Sequence, residues 1–242
     1  GQTLLEFIAS LPKSYPILFL LSGGASALVE VLAPGLSLTD LQRVNQWLLA
    51  TGLNIHAMNQ IRKSLSAIKG GRLARFLQGH EVLNLVISDV PGDDLQAIGS
   101  GLLTPHDQIT VPNGLPDWLQ TLTAKALPLA TSECFTHIIP HLIASPTIAR
   151  QAAGREAAKQ WNYPVYHHDD LLVGDALLAG RQIAQQLRTA KPGIYLWSSE
   201  TTVILPDSPG QGGRCQSLAL AAACELAGPE DLYLLAAGTD GN

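Results

Sequence analysis

The sequence predicts an α/β fold with a mainly parallel sheet and flanking helices. Three observations carry this. Two apolar runs, Ile17–Leu21 and Val82–Ile87, the second interrupted only by Asn84, have the length and composition of strands buried on both faces. The intervening segments repeat apolar residues every three or four positions, so strands and helices alternate along the chain. Each apolar run also opens into small and polar residues, as expected where a strand's carboxyl end meets a ligand crevice.

The elements follow in order. A helix is expected over Thr3–Ile8, and Pro12 and Pro16 interrupt the chain before the Ile17–Leu21 strand. Thr39 is a good N-cap for a helix reaching about Ala50, with Gly52 as its stop. Asn54 caps the next helix, whose apolar stripe is Ile55, Met58, Ile61, Leu65 and Ile68; Gly70-Gly71 ends it. After the Val82–Ile87 strand, residues 99–114 are rich in Gly, Pro and Thr and read as loop. A helix over 115–130, a strand near Thr136–Ile139, a helix over Thr147–Gln160 and a short strand Pro164–Tyr166 come next. A helix over 174–187, strands Ile194–Trp197 and Thr202–Leu205, a helix over 212–227 and a strand Leu232–Ala236 complete the pattern.

Composition narrows the function classes. The chain has 242 residues, enough for one large domain or one domain and part of another. Hydrophobic residues at 46% and charged residues at 14% exclude a disordered chain. A net charge of −5 without a Lys/Arg cluster excludes a general nucleic-acid-binding surface, so an anionic ligand needs a few placed residues. Cys134, Cys215 and Cys224 are far apart and form no CxxC pair, which argues against a zinc site or disulfides and for a reducing, cytoplasmic setting. No apolar run approaches the ~18 residues of a membrane span. His167-His168 is expected at the surface. The chain starts without Met and stops just after an apolar run, so an internal piece of a longer protein is expected.

Five segments could carry chemistry. Ser22-Gly23-Gly24-Ala25-Ser26 follows the first strand; small residues there let backbone N–H groups and hydroxyls converge on an anion. It is not a Walker loop, because the chain has no GxxxxGK[ST]. Asn59, Arg62, Ser66 and Lys69 recur at helical spacing as a polar stripe, in which Arg62 could grip a carboxylate bidentately. Asp89, Asp93 and Asp94 follow the second strand as hard oxygen donors compatible with Mg²⁺, although one of Asp93 and Asp94 is expected to cap the following helix. Gly212-Gly213-Arg214 opens a helix; an Arg there opposes the helix dipole and hints at an offsetting anion. Asp240, in Gly238-Thr239-Asp240-Gly241, is a further carboxylate after a strand.

Taken together these segments resemble the class II glycerate kinase, or MOFRL, family. Leu21–Leu28 is similar to the family's SGGxSAL loop, and Asn59–Ala74 to its NxVRKHLSxIKGGRLA helix. Val86–Asp94 with Ile98–Gly101 resembles SDVxGDD and IASG, and Glu200–Val203, Gly212–Arg214 and Ala237–Gly241 resemble GGETTV, GGRNQ and AGTDG. Ser198-Ser199 stands where the family has glycines, Cys215 where it has Asn, and Gly101–Asp107 departs from its SGPTxPD wording.

The resemblance implies a Rossmann-like N-terminal domain over 1–190, lacking its first segment and that segment's lysine motif. It also implies the truncated start of a smaller MOFRL-type domain over 191–242. It implies ATP-dependent phosphorylation of D-glycerate to 2-phosphoglycerate, with ATP and Mg²⁺ as cofactors. Arg214, Lys69 and Asp89 are then the expected catalytic residues. Ser22, Gly23, Gly24, Ser26, Asn59, Arg62, Glu200, Thr201, Gly212 and Gly213 are expected to bind substrate or phosphate, and Asp89, Asp93 and Asp240 to bind metal. The expected partner is a small hydroxy acid, with a homodimer left open. The rival readings are a hydroxypyruvate reductase, for which no GxGxxG opens a helix after a strand, and a non-catalytic binding relative.

Overall fold

In the computed structural model, residues 1–242 are described except Pro206, Pro209, Pro229, Glu230 and Thr239–Asn242. The chain forms two compact units, Gly1–Ser145 and Pro146–Asn242. This division precedes the domain boundary expected at 190/191. The reason lies in the pairing of elements on either side of residue 190, described below.

In the first unit, α1 (Gln2–Ser10) leads to β1 (Ile17–Leu21), a short α2 (Ala25–Leu28) and α3 (Leu38–Ala50). The N-cap of α3 is Ser37 and not Thr39: Ser37 and Asp40 exchange side-chain and backbone hydrogen bonds in a capping box. Then come α4 (Ile55–Leu65), capped by Asn54, a 3₁₀ turn over Arg72–Leu77, β2 (Val82–Ile87), α5 (Asp117–Thr123) and β3 (Ile138–Ala144). The helix expected over 115–130 is shorter, running only Asp117–Thr123 with Ala124 as its C-cap.

The sheet order is β1-β2-β3, all parallel, with Ile17 opposite Val82 and Val82 opposite Ile138. Its core lies on one face, where Leu21, Val82, Val86 and Ile138 pack with Ile8, Ile68, Leu73 and Leu77. Burial on both faces does not hold among the described residues: the cross-strand row Leu18–Leu83–Ile139 stays exposed. A second cluster, Val44, Leu48, Ile61, Leu65 and Leu119, joins α3, α4 and α5.

In the second unit, α6 (Pro146–Gln160) precedes β4 (Val165–His167), β5 (Leu172–Asp175) and α7 (Ala176–Thr189). After residue 190 come β6 (Ile194–Leu196), β7 (Ser199–Thr202) and α8 (Arg214–Leu226). β4 pairs with β6 and β5 with β7, both in parallel, while Ala179 and Ile183 of α7 pack with Leu218 of α8. Elements before residue 190 therefore pair with elements after it. The strand expected over Thr202–Leu205 is shifted forward to Ser199–Thr202, leaving Ile204 91% exposed.

The expected strand Leu232–Ala236 does not form among the described residues. Its alternation is real: Leu232, Leu234 and Ala236 pack inward while Tyr233 and Leu235 point out, but no neighbouring strand supplies a ladder. His168 also departs from expectation: it is half-buried and stacks on Trp197, ring centroids 4.4 Å apart.

Candidate active site

The first unit gathers its polar residues at the carboxyl ends of β1 and β2. The chain leaves β1 at Leu21 and turns at once, with Ala25 N–H donating to Ser22 O and Ser26 N–H to Gly23 O. Neighbouring β2 delivers Asp89 to the same place. A β-carbon on Gly23 would fall on the Asp89 carboxylate, so only glycine permits this approach. A β-carbon on Gly24 would meet open space, and Ser22, Gly24 and Asp89 are all exposed. These residues present a hydroxyl, backbone and a carboxylate to solvent.

The far end of this loop is held from beneath. Ser26 Oγ shares a 2.7 Å hydrogen bond with Ser100 Oγ. Its carbonyl accepts from the Lys69 ammonium at 2.8 Å, and the same ammonium donates to Glu30 Oε2 at 2.7 Å. Lys69 is 3% exposed, so its charge is engaged inside the protein. Glu30 also accepts from Ser66 Oγ at 2.5 Å.

The polar stripe expected on one helix is therefore broken. Helix α4 ends at Leu65, Ser66 is its extended C-cap, and the chain turns through Gly70 and Gly71 at φ 63° and 79°. Asn59 and Arg62 remain on the helix, half-buried, and Arg62 Nε donates to Asn45 Oδ1 at 3.2 Å. Ser66 and Lys69 belong to the turn beneath the Ser22–Ser26 loop.

Two further cations, Lys63 and Arg72, have the look of ordinary solvated charges in the sequence. Lys63 is buried and donates to Gln96 O and to His106 Nε2, both at 2.8 Å. His106 Nδ1 lies 2.8 Å from Thr104 O, which can only accept, so Nδ1 carries the proton and Nε2 receives the Lys63 ammonium. Burial lowers the Lys63 pKa; burial, and then Lys63 itself, lower that of His106. Arg72, 1% exposed, donates to the carbonyls of Lys63, Lys69, Leu127 and Pro128, and burial pulls its pKa down to about 10, so it stays charged at neutral pH.

Neither Asp93 nor Asp94 caps the helical turn that follows: Ile98–Ser100 has Ala97 at its N-cap without a side-chain bond, and Asp94 Oδ1 instead accepts from Gln96 N–H at 2.8 Å in a local turn. Asp93 is half-buried at φ 56°. No group of three or more His, Cys, Asp or Glu side chains is placed to hold a metal among the described residues. An exposed Asp89 beside an open loop still fits Mg²⁺, which takes one or two protein carboxylates and completes its shell with phosphate and water. Asp240 lies outside the described residues.

In the second unit, Glu200 on β7 and Arg214 at the first position of α8 approach to 3.6 Å. The anion expected to offset Arg214 is thus supplied at least in part by the protein. Thr201 is buried in β7, while Gly212 and Gly213 are exposed, and Gly213 caps α8.

The family described as Domain of unknown function (DUF4147) matches residues 1–128, more than half of the chain. The chain belongs to the DUF4147 family. The MOFRL family matches residues 193–242 of this DUF4147 chain. The D-glycerate 2-kinase of Thermotoga maritima is 34% identical over 99% of the chain and 60% of its own length. A protein of Agrobacterium vitis that bears a provisional hydroxypyruvate reductase name is 36% identical, covering 93% of the chain and 63% of its own length. The crystal structure of the Thermotoga maritima glycerate kinase superposes with a TM-score of 0.75 at 31% identity, covering 95% of the chain and 58% of that structure. The motif resemblance to class II glycerate kinases is borne out, as is the α/β fold. The DUF4147 chain spans about three-fifths of these relatives' lengths.

Proposed function

We propose that this chain is part of an ATP-dependent glycerate 2-kinase that converts D-glycerate to 2-phosphoglycerate. The observation that carries the reading is the approach of Asp89 to the Ser22–Ser26 loop at adjacent strand ends, together with the glycerate kinase names of its relatives. Phosphoryl transfer asks the protein mainly for positioning and charge stabilisation. The Ser22 hydroxyl and the backbone at Gly24 would bind the substrate's anionic groups. Asp89 would accept the proton of the attacking hydroxyl or hold Mg²⁺; Asp93 is a second candidate oxygen donor. When bound, Mg²⁺ supplies charge neutralisation on the nucleotide phosphates. Arg62, at the half-buried end of its stripe, would hold the substrate carboxylate, and Lys69 acts by holding the loop through the Ser26 carbonyl.

In the second unit, Arg214 beside Gly212-Gly213 would stabilise phosphoryl charge, with Glu200 near its guanidinium. We assign residues 191–242 to the start of a MOFRL-type domain, which the family match to 193–242 supports. No helix among the described residues is long and apolar enough to cross a membrane, and a small hydroxy acid is the proposed partner.

The test is to incubate the intact protein with ATP, Mg²⁺ and D-glycerate. ADP should form only when glycerate is present, and ³¹P NMR should place the product phosphate on the C2 oxygen. No glycerate-dependent ADP would end the kinase reading, and a C3 phosphate would end the 2-kinase assignment. The reductase reading rests on the Agrobacterium vitis relative's name and predicts NADH oxidation by hydroxypyruvate.

A further inference from the structure

Ser100 sits where a serine is conformationally awkward. Its φ is 59°, between Gly99 at 56° and Gly101 at 64°, so three successive residues are left-handed. Glycine adopts this region without strain and serine does not. Ser100 is also 0% exposed, so its hydroxyl does not serve solvent. That hydroxyl meets Ser26 Oγ at 2.7 Å, 74 residues away in the chain.

The backbone around Ser100 is anchored independently of the hydroxyl. Its N–H donates to Ala97 O, its carbonyl accepts from Gly70 N–H, and Gly101 O accepts from Gly71 N–H. The turn would therefore keep its path with glycine at position 100. What the serine adds is a fixed partner for one rotor of the Ser22–Ser26 loop.

We propose that Ser100 is a positioning residue: it orients the Ser26 hydroxyl and thereby the donors of the Ser22–Ser26 loop for an anionic substrate. Lys69 holds the Ser26 carbonyl, Ser100 holds its hydroxyl, and Asp89 packs on Gly23 at the other end. The loop is thus fixed at both ends before any ligand arrives, which lowers the ordering cost of binding. The catalytic consequence rests on the kinase reading above; the mechanical one does not.

Ser100→Gly separates the hydroxyl from the fold, because it removes the first while relieving the backbone. The urea midpoint should stay level or rise. Losing one hydrogen-bonded orienting contact should lower kcat for glycerate phosphorylation about tenfold, with a smaller change in KM. In a Ser26→Ala background, Ser100→Gly should cost little more, because the two act as one unit. Amide exchange at Ala25, Ser26 and Ala27 should accelerate about tenfold in Ser100→Gly despite undiminished global stability.

Unchanged turnover together with unchanged exchange would overturn the proposal, and so would a full Ser100→Gly loss persisting in the Ser26→Ala background. If the wild-type protein shows no glycerate-dependent turnover, the kinase reading fails by itself. The exchange measurement then decides the positioning role alone: acceleration supports it, and wild-type rates overturn it.

Discussion

The carboxylate of Asp89 occupies the volume that a side chain on Gly23 would need. Two residues from neighbouring strand ends therefore share one small space, and each fixes the other. A methyl group at position 23 must push Asp89 away. Gly23→Ala should thus lower kcat/KM about 100-fold, the scale expected for a displacement of about 1 Å in a positioned group. Steady-state kinetics check this, and a circular dichroism spectrum unchanged from wild type shows that the loss is local.

The Lys69–Glu30 pair is buried at 2.7 Å, with side chains 4% and 16% exposed. Removing one charge leaves the other without its partner in a poorly hydrated site. Lys69→Met should destabilise the protein by about 3–5 kcal/mol, and the double variant Lys69→Met/Glu30→Leu should recover part of that loss. Urea unfolding of the two variants measures both values.

Arg72 ties four carbonyl groups from two distant segments to one guanidinium. Arg72→Met leaves those acceptors without their donor and should cost about 3 kcal/mol or more. Arg72→Lys should rescue little, since one ammonium cannot reproduce the planar fork. Thermal melts of both variants test this.

His106 gives the stability a pH dependence of known sign. Its folded pKa lies below the ordinary value of 6.5, through burial and then through Lys63. Below pH 6.5 the unfolded chain takes up the proton more readily than the folded one. Stability should be fully present above pH 6.5 and decline as pH falls from there towards the lowered folded value. Urea midpoints measured across this range should show the decline, and His106→Gln should flatten that part of the profile.

Arg214→Ala should reduce turnover about 100–1,000-fold, the usual loss on removing one charge-stabilising donor. Glu200→Gln should give a smaller decrease, because its 3.6 Å approach to Arg214 is longer than a hydrogen bond and its loss leaves the guanidinium in place. Single-turnover kinetics distinguish the two.

Much of this arrangement is legible in the residues themselves. Apolar runs ending in small polar residues reveal β1, β2 and the loops that follow, because burial and strand-end geometry act locally on composition. Glu30, Ser100 and His106 are not legible, because each acquires its partner through the fold: Ser66 and Lys69 for Glu30, Ser26 for Ser100, Lys63 for His106. The left-handed backbone at Ser100 leaves no trace beyond its flanking glycines. Lys69 is instructive in the opposite direction. Its spacing places it on the polar stripe of α4, yet the helix ends before it and the lysine turns inwards to Glu30.

The neutralised lysine beneath the Ser22–Ser26 loop bears on how ligands would arrive. Lys69 donates to Glu30, and Lys63 and Arg72 donate to interior carbonyls, so these three cations turn their N–H groups inward and not towards a ligand. An anion would be gripped by the short-range donors of the loop and by Arg62, not by a lysine aimed at it. Association with the first unit should then weaken with ionic strength less steeply than capture by an open basic cleft, with Arg62 as the cation that faces the ligand.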